Sequence, residues 1–505
     1  MKKLFAMLLV LGLVASMMLN LSSCGIIPGL GENNNGQSGN QIFTPDCTAG
    51  IHADIDNDDY CDLCDVYVAV VIDFYVFNDL HGKFCDTATQ PGVDEFGSFI
   101  EDMSKTDDNI VLLSSGDMWQ GTAESALTNG GIIVDWMNLL GFEAMTLGNH
   151  EFDWGEAPIA ENEKKAEFPF LAINVYNKST GKLADYCTPS IMIERDGVNI
   201  GIIGAIGDCY SSISSDKVQD VTFKVGSQLT ALVMAESKKL REHGADLIVY
   251  SVHDGIEEYD EALSKGYVDI VFEGHTHSSY TRRDSYGVYH LQSGGENNGV
   301  SHAEVKVNRV NGINKVTDCE IIPNRTYSAY EDHEPTEAIE EKYSDIVDYA
   351  YADLGQVSKT YYDSELEDFV AELYLEAGVA KWGSQYNIVL GGGFLKTRTP
   401  YNLTSGVKKY ADLLSLFPFN NQLVLCSISG KNLKSRFINS TNDDYHMAFS
   451  GLVNPDKISD NETYYIVVDT YTAQYAPNRL TIVEYFDNTT YARDLLADAI
   501  KEGRL

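Results

Sequence analysis

"EAMTLGNHEFDWG", Glu143 to Gly155, sets a short apolar run in front of a polar tail. The run reads as a brief extended segment, and Asn149, His150 and Asp153 follow directly behind it. Amide, imidazole and carboxylate at a strand end are the residue types that bind metal ions or move protons. His150 and Asp153 stand at i and i+3, a spacing that lets both face one site on a turn. One such stretch decides little, because a lone histidine is more often a satisfied core residue than a ligand. The same composition, however, recurs in both directions along the chain.

Upstream, "VYVAVVIDFYVF" reads as a strand and runs into "NDLHGKF", with Asp79 and His81. "NIVLLSSG" reads as a second and runs into "SGDMWQG", with Asp117. Downstream, "ADLIVYSV" is followed by His253, and "DIVFEG" by "HTH", with His275 and His277. Five of the chain's eleven histidines lie in these blocks, too many for independent core placements. Between the blocks, "GGIIVDWMNLLG" and "QLTALVMAESKKLREHG" read as helices, and "VNIGIIGAIG", "GVYHLQSGG" and "HAEVKVNRV" as further strands. Such alternation argues for a layered α/β fold with a central sheet. Polar residues at the carboxyl ends of neighbouring strands then converge on one crevice. Imidazole mixed with hard oxygen suits two divalent ions such as Mn, Zn, Fe or Co. A carboxylate can bridge such a pair, and Asp117 is the natural bridge. Two ions about 3.5–4 Å apart form a clamp for in-line attack on phosphorus.

The whole chain sets limits on this reading. Its 505 residues call for two or more domains. Its 75 acidic against 36 basic residues, a net charge of −39, repel nucleic acid and anionic lipid headgroups, so a nucleic acid duplex is no partner. An anionic substrate needs a local source of positive charge, which ions in the crevice supply. Residues 1–24 read as a targeting segment: Lys2 and Lys3, an apolar run, then "LSSC", which resembles a bacterial lipoprotein signal. That resemblance implies cleavage before Cys24 and lipidation of its thiol. No other apolar run approaches the roughly 20 residues that span a bilayer. The expected protein is extracytoplasmic and touches the membrane only through its N-terminal lipid anchor.

Residues 25–65 read as a flexible spacer ending in a Cys/His/Asp-rich segment. Cys47, His52, Cys61 and Cys64 offer a Cys3His set, and Cys61-x-x-Cys64 has the spacing of half a zinc site. Asp54, Asp56 and Asp58 alternate as calcium-loop ligands do, without the glycine and distal Glu of an EF-hand. A disulfide among the cysteines is a third alternative. The expectation is a small structural knob holding Zn or Ca, with no catalytic role.

The blocks "ND-x-H-G", "GD-x(3)-G" and "GNHEFDWG", the isolated His253 and "GHTH" resemble the calcineurin-like metallophosphoesterases. "NDLHG" and "GNHEFD" look most like the bacterial 5'-nucleotidase and UDP-sugar hydrolase branch. The resemblance implies a four-layer αββα-type domain over residues 66–330, a linker helix over 331–357 and a C-terminal substrate-recognition α/β domain over 358–505. It implies one ion held by Asp79, His81 and His277, a second held by Asn149, His253 and His275, and Asp117 shared. His150 would be a non-ligand catalytic residue acting on phosphoryl oxygens or the leaving group, with Asp153 orienting it. Asn78 would help place the substrate phosphate. The reaction implied is hydrolysis of a phosphate ester by metal-activated water, without a phosphoenzyme.

In that branch the C-terminal domain recognises base and ribose. Here "FPFNNQLVL" places Phe419 to stack on a base and Asn421 beside it. "IVLGGGFLKTR", Ile388 to Arg398, suggests a phosphate cradle at first sight. With the ions handling phosphate, Gly392 and Gly393 are expected to bring backbone close to substrate, with Lys396 or Arg398 supplying charge. Leu390 and Leu395 stand where the family pattern has Asn and Arg, and "VVDTYTAQYAPNR" replaces its late glycine-rich segment, with Tyr471 or Tyr475 as the second stacking ring. The expected activity is that of a 5'-nucleotidase. The alternatives are a phosphoesterase for cyclic nucleotides, nucleotide-sugars or a non-nucleotide ester, or a non-catalytic surface binding protein.

Overall fold

Alternate residues of the strand Ala69–Phe77 have different neighbours, and this sorts the layers. In the computed structural model it lies inside a six-stranded sheet ordered Asn314–Pro323, Gly299–Asn308, Ala69–Phe77, Ile110–Ser114, Ala144–Thr146, Phe170–Leu171. Val70, Ile72, Phe74 and Val76 meet Ile200, Ile202, Val249 and Phe272 of a second six-stranded sheet. That sheet runs Tyr280–Arg283, Tyr289–Gln292, Ile270–Glu273, Leu247–His253, Val198–Ile206, Ser190–Arg195. The odd-numbered Tyr75 and Phe77 point the other way, as the two-residue period of a strand requires, into a layer that includes Phe96 and Trp136. Those rings come from the helices Asp94–Met103 and Gly131–Leu140. The helix Ser227–Glu242 covers the second sheet with Val233 and Leu240. Helix, sheet, sheet and helix give the expected four layers.

The structure describes residues 46–505 apart from 51, 87–91, 216, 399, 439–446, 476–479 and 488–489. The targeting segment, Cys24 and the spacer up to residue 45 lie outside the described residues. The chain divides into two units between residues 52 and 53, and the described residues 46–50 and 52 belong to the first. The described part of the first unit is a short turn, Cys47–Ala49, in which Asp46 accepts the Thr48 N–H. Of the expected Cys/His set, Cys47 and His52 belong to the first unit and Cys61 and Cys64 to the second. Residues 53–65, expected in the spacer, dock on the strand Gly299–Asn308. Buried Asp54 accepts from Asn308 Nδ2 at 2.5 Å, and Lys306 pairs with Asp59. Asp54, Asp56 and Asp58 each bring a carboxylate oxygen within 4.8 Å of the others.

The segment expected to be one linker helix is broken. It forms Glu334–Lys342, Ser344–Tyr351 and a strand, Asp353–Val357. Contacts at both ends break it up: Lys342 and Tyr343 bind Asp135, and Tyr351 Oη donates to Glu124 at 2.8 Å. Beyond it lies a five-stranded sheet ordered Ala448–Gly451, Ile388–Gly393, Thr463–Asp469, Leu423–Ser429, Thr481–Tyr485. The helix Asp363–Trp382 packs against it so closely that a Cβ on Gly391 would lie 2.3 Å from the Leu375 backbone nitrogen. Among the described residues no helix is long and apolar enough to cross a membrane.

Candidate active site

The strands Ala69–Phe77, Ile110–Ser114 and Ala144–Thr146 are mutually parallel, as are Val198–Ile206, Leu247–His253 and Ile270–Glu273. Their carboxyl ends meet where the two sheets adjoin. The loops there are laced together by backbone hydrogen bonds. Asp79 N–H donates to the Gly116 carbonyl at 2.9 Å and His81 N–H to the Asp117 carbonyl at 3.0 Å. His275 N–H donates to the Asp79 carboxylate at 2.8 Å, which joins the second sheet to the first. Asp79, His81, Asp117, His275 and His277 all hold left-handed backbone, with φ between 51° and 73°. Non-glycine residues rarely adopt that conformation, and it concentrates at functional sites.

Two of the imidazoles are aimed by Nδ1. His81 Nδ1–H donates to the Gln120 carbonyl at 2.7 Å, and His253 Nδ1–H to the Ser115 carbonyl at 2.7 Å. Both therefore present Nε2 inward, the arrangement of a metal-ligating histidine. His81 Nε2 faces His277 Nε2 at 3.0 Å, and His277 Nε2 lies 3.3 Å from Asp79 Oδ1. Buried His253 Nε2 has no partner in hydrogen-bonding geometry, although Asp117 Oδ2 lies 3.0 Å away. Buried Asn149 Oδ1 has no partner either. A buried polar atom left unpaired costs free energy, so the orphaned Asn149 Oδ1 marks a position that a cation would satisfy. Backbone crowding fixes the walls: a Cβ on Gly116 (φ +93°) or on Gly274 would lie 2.7 Å from His253 Nδ1.

Electrostatics agree. Burial alone would raise the Asp117 carboxyl, but His253 and His150 beside it hold it well below the usual carboxylate range. Burial lowers His253, yet Asp117 and Asp79 outweigh it and push its pKa up to about 10. The two carboxylates thus create a field that favours positive charge, whether proton or metal. Asp79, His81 and His277 offer donor atoms within 4.8 Å of one another, and so do Asp79, Asp117 and His253. The donor set fits divalent metal ions.

His150 stands at the edge of this cluster. Its Nδ1 lies 2.7 Å from Asp153 Oδ2, and its backbone N–H donates to Asp117 Oδ1 at 2.8 Å. Burial lowers its pKa, but Asp117 and Asp153 raise it further, to about 9. Asn78 is placed differently from a phosphate ligand: its amide donates to Asp79 Oδ2 at 2.7 Å and its oxygen accepts from Ser293. All its groups are engaged in holding Asp79 against the Ser293 loop. Glu151, which sequence reasoning did not single out, is fully buried and accepts backbone N–H groups from Gly148, Asp117 and Met118. It ties the Asp117 loop to the Asn149 loop, and its place inside "GNHE" was the one signal available.

A cleft of about 860 Å³ opens beside Asp153 and is lined across from it by Phe394, Lys396, Arg398, Phe419, Asn421 and Tyr471. The Arg398 guanidinium sits over the Phe419 ring, 5.1 Å from its centroid. Arg493, not anticipated from sequence, is buried and donates to the Phe417 and Phe419 carbonyls at 3.1 Å, which fixes that turn. Gly392 and Gly393 are not among the lining residues. They lie inside the strand Ile388–Gly393, where a Cβ would come within 2.0 Å of the Ala448 carbonyl and 2.3 Å of Thr472 Oγ1. Their closeness serves sheet packing, not approach to substrate. The side chain of Tyr475 lies outside the described residues.

Residues 72–279 match the model of the calcineurin-like phosphoesterases, and they form such a domain. Domains of this family use divalent metal ions. Protein UshA of Yersinia enterocolitica is 30% identical over 220 residues, which is 39% of this chain and 39% of UshA. An apyrase of Tabanus yao is 24% identical over 414 residues, 74% of each chain. In three dimensions, a putative 5'-nucleotidase from Staphylococcus aureus superposes with a TM-score of 0.63 at 18% identity, over 85% of this chain and 96% of that one. That likeness is one of fold.

Proposed function

We propose, with a calcineurin-like phosphoesterase domain at residues 72–279 as premise, that this protein is a dinuclear, extracytoplasmic, lipid-anchored phosphoesterase of the 5'-nucleotidase type. The observation that carries the reading is the convergence of Asp79, His81, Asp117, His253, His275 and His277 at one crevice, with Asn149 Oδ1 buried and unpaired. When bound, two divalent ions supply Lewis acidity to activate water and to neutralise the phosphoryl oxygens. Asp117 holds the two positions together. The His150 ring, held by Asp153, presents its remaining nitrogen toward the reacting group and carries a proton for the departing oxygen. Phe419 and Tyr471 offer faces for a base, and Lys396, Arg398 and Asn421 offer polar contacts to the rest of a nucleotide.

One feature favours a second reading, a phosphoesterase for a non-nucleotide or differently shaped ester. Leu395 is buried where the family pattern has Arg, and Arg398 occupies a face of Phe419 that a base would use. Phosphate release from AMP, UDP-glucose, a 2',3'-cyclic nucleotide and an aryl phosphate, measured with added Mn, Zn or Co, separates the readings. The leading reading expects AMP to be hydrolysed. Aryl phosphate turnover without any nucleotide turnover would establish the second, and no metal-dependent turnover at all would sink both.

The His150–Asp153 pair yields a pH prediction. A His that must be protonated is active at lower pH and fails as pH rises through its pKa. Asp153 contributes to the elevation of that pKa, so Asp153→Asn should move the alkaline fall in kcat to lower pH. Bound ions shift both proteins in the same direction and leave the difference. At neutral pH the loss should be on the order of 10–100-fold, as for other orienting partners. An unchanged alkaline limb would remove Asp153 from this role.

A further inference from the structure

Cys209 belongs to none of the strand-end blocks. It sits in the short turn Asp208–Ser212, directly after the strand Val198–Ile206, and is buried. Its neighbours are not those of an ordinary core thiol. The Cys426 thiol packs in an apolar cluster with Leu390, Val424 and Ile466. Cys209 instead offers Sγ within 4.8 Å of a ring nitrogen from both His253 and His275, which also lie within 4.8 Å of each other. Its Sγ–H donates to the His253 main-chain carbonyl at 2.9 Å. The His253 and His275 rings are 5.5 Å apart, centroid to centroid. The Nδ1 contact to the Ser115 carbonyl turns His253 Nε2 inward, where it lies 3.0 Å from Asp117 Oδ2.

We propose that Cys209 Sγ is a ligand of the metal position built by His253 and His275, beside Asp117 and Asn149. The inference rests on the dinuclear reading of the site. Zn–S bonds are about 2.3 Å and Zn–N bonds about 2.0–2.1 Å, so sulfur and nitrogen on one ion stand at most about 4.4 Å apart. The three donor atoms all lie within 4.8 Å of one another, close to that limit. On binding, the Sγ–H bond breaks, the proton leaves to solvent and the sulfur lone pair goes to the ion. A thiolate softens that position alone and leaves the Asp79, His81 and His277 position with oxygen and nitrogen donors. The two positions therefore differ in preference: the one at Cys209 favours Zn(II) or Co(II) over Mn(II).

Cobalt provides the test, because thiolate ligation to Co(II) produces a near-ultraviolet charge-transfer band that oxygen and nitrogen ligands do not. The full chain, Cys209→Ser and Cys209→Ala are loaded with Co(II), and bound cobalt is counted by elemental analysis. Cysteines 47, 61 and 64 are the same in all three proteins and cancel in difference spectra. The expected result is a charge-transfer band in wild type minus variant. Equal cobalt occupancy and identical spectra would overturn the proposal. If wild type binds no more cobalt than Asp117→Asn, the dinuclear reading fails, and the thiolate with it. Cadmium-113 NMR of the wild-type protein requires no variant to fold. A single-sulfur resonance supports the ligand, and resonances at the strand-end site confined to the oxygen–nitrogen region exclude it.

Discussion

Asp117→Asn should reduce kcat by on the order of 10³-fold and lower the metal content of the purified chain from two ions to one or none. The magnitude follows from losing several kcal/mol of charge stabilisation, at about 1.36 kcal/mol per decade. The geometry explains why an isosteric change suffices. Asp117 is 1% exposed, its Oδ1 accepts the His150 N–H and its Oδ2 faces His253 Nε2 at 3.0 Å. Asparagine keeps the shape but replaces one oxygen with an amide and removes the charge that the two ion positions share. Elemental analysis and steady-state kinetics on the same preparation check both halves. A variant that kept two ions and full turnover would refute the bridging assignment.

His150→Ala should behave in the opposite way toward metal. It should retain both ions and lose on the order of 10²–10⁴-fold in kcat, the range for a positioned proton donor. The ring is engaged through Nδ1 with Asp153, while the link to Asp117 runs through the backbone N–H, which alanine keeps. The side chain is 29% exposed, more than the buried ring of His253, and Asp153 beside it lines the large cleft. Loss of an ion in this variant would make His150 a ligand and end its assignment as proton donor.

The strand-end blocks were legible because their chemistry is local. A run such as "VYVAVVIDFYVF" ends, a turn begins, and Asp79 or His81 follows within a few residues. The parallel strands and the helices Gly131–Leu140 and Ser227–Glu242 were legible for the same reason, each carrying its own periodicity. What was not legible depends on distant neighbours. The strand Asn314–Pro323 is mostly polar and half exposed, and only its pairing with Gly299–Asn308 makes it a strand. Gly392 and Gly393 look like a loop around a ligand until Ala448 and Thr472 are seen against them. Glu151 and Cys209 gave no pattern of their own, since their roles come from loops that converge only in the folded chain. Asn78 was noticed, but its partner Ser293 is 215 residues away.

The left-handed backbone at five of the expected ligand residues has a practical consequence. Those conformations are held by hydrogen bonds among the loops and by the sheets behind them. The crevice is therefore a socket assembled during folding, and stripping its contents with a chelator should leave the chain folded and ready to be refilled. Such a socket is filled after folding, so the elements recovered with the purified protein record both the preference of each position and the medium in which it was produced.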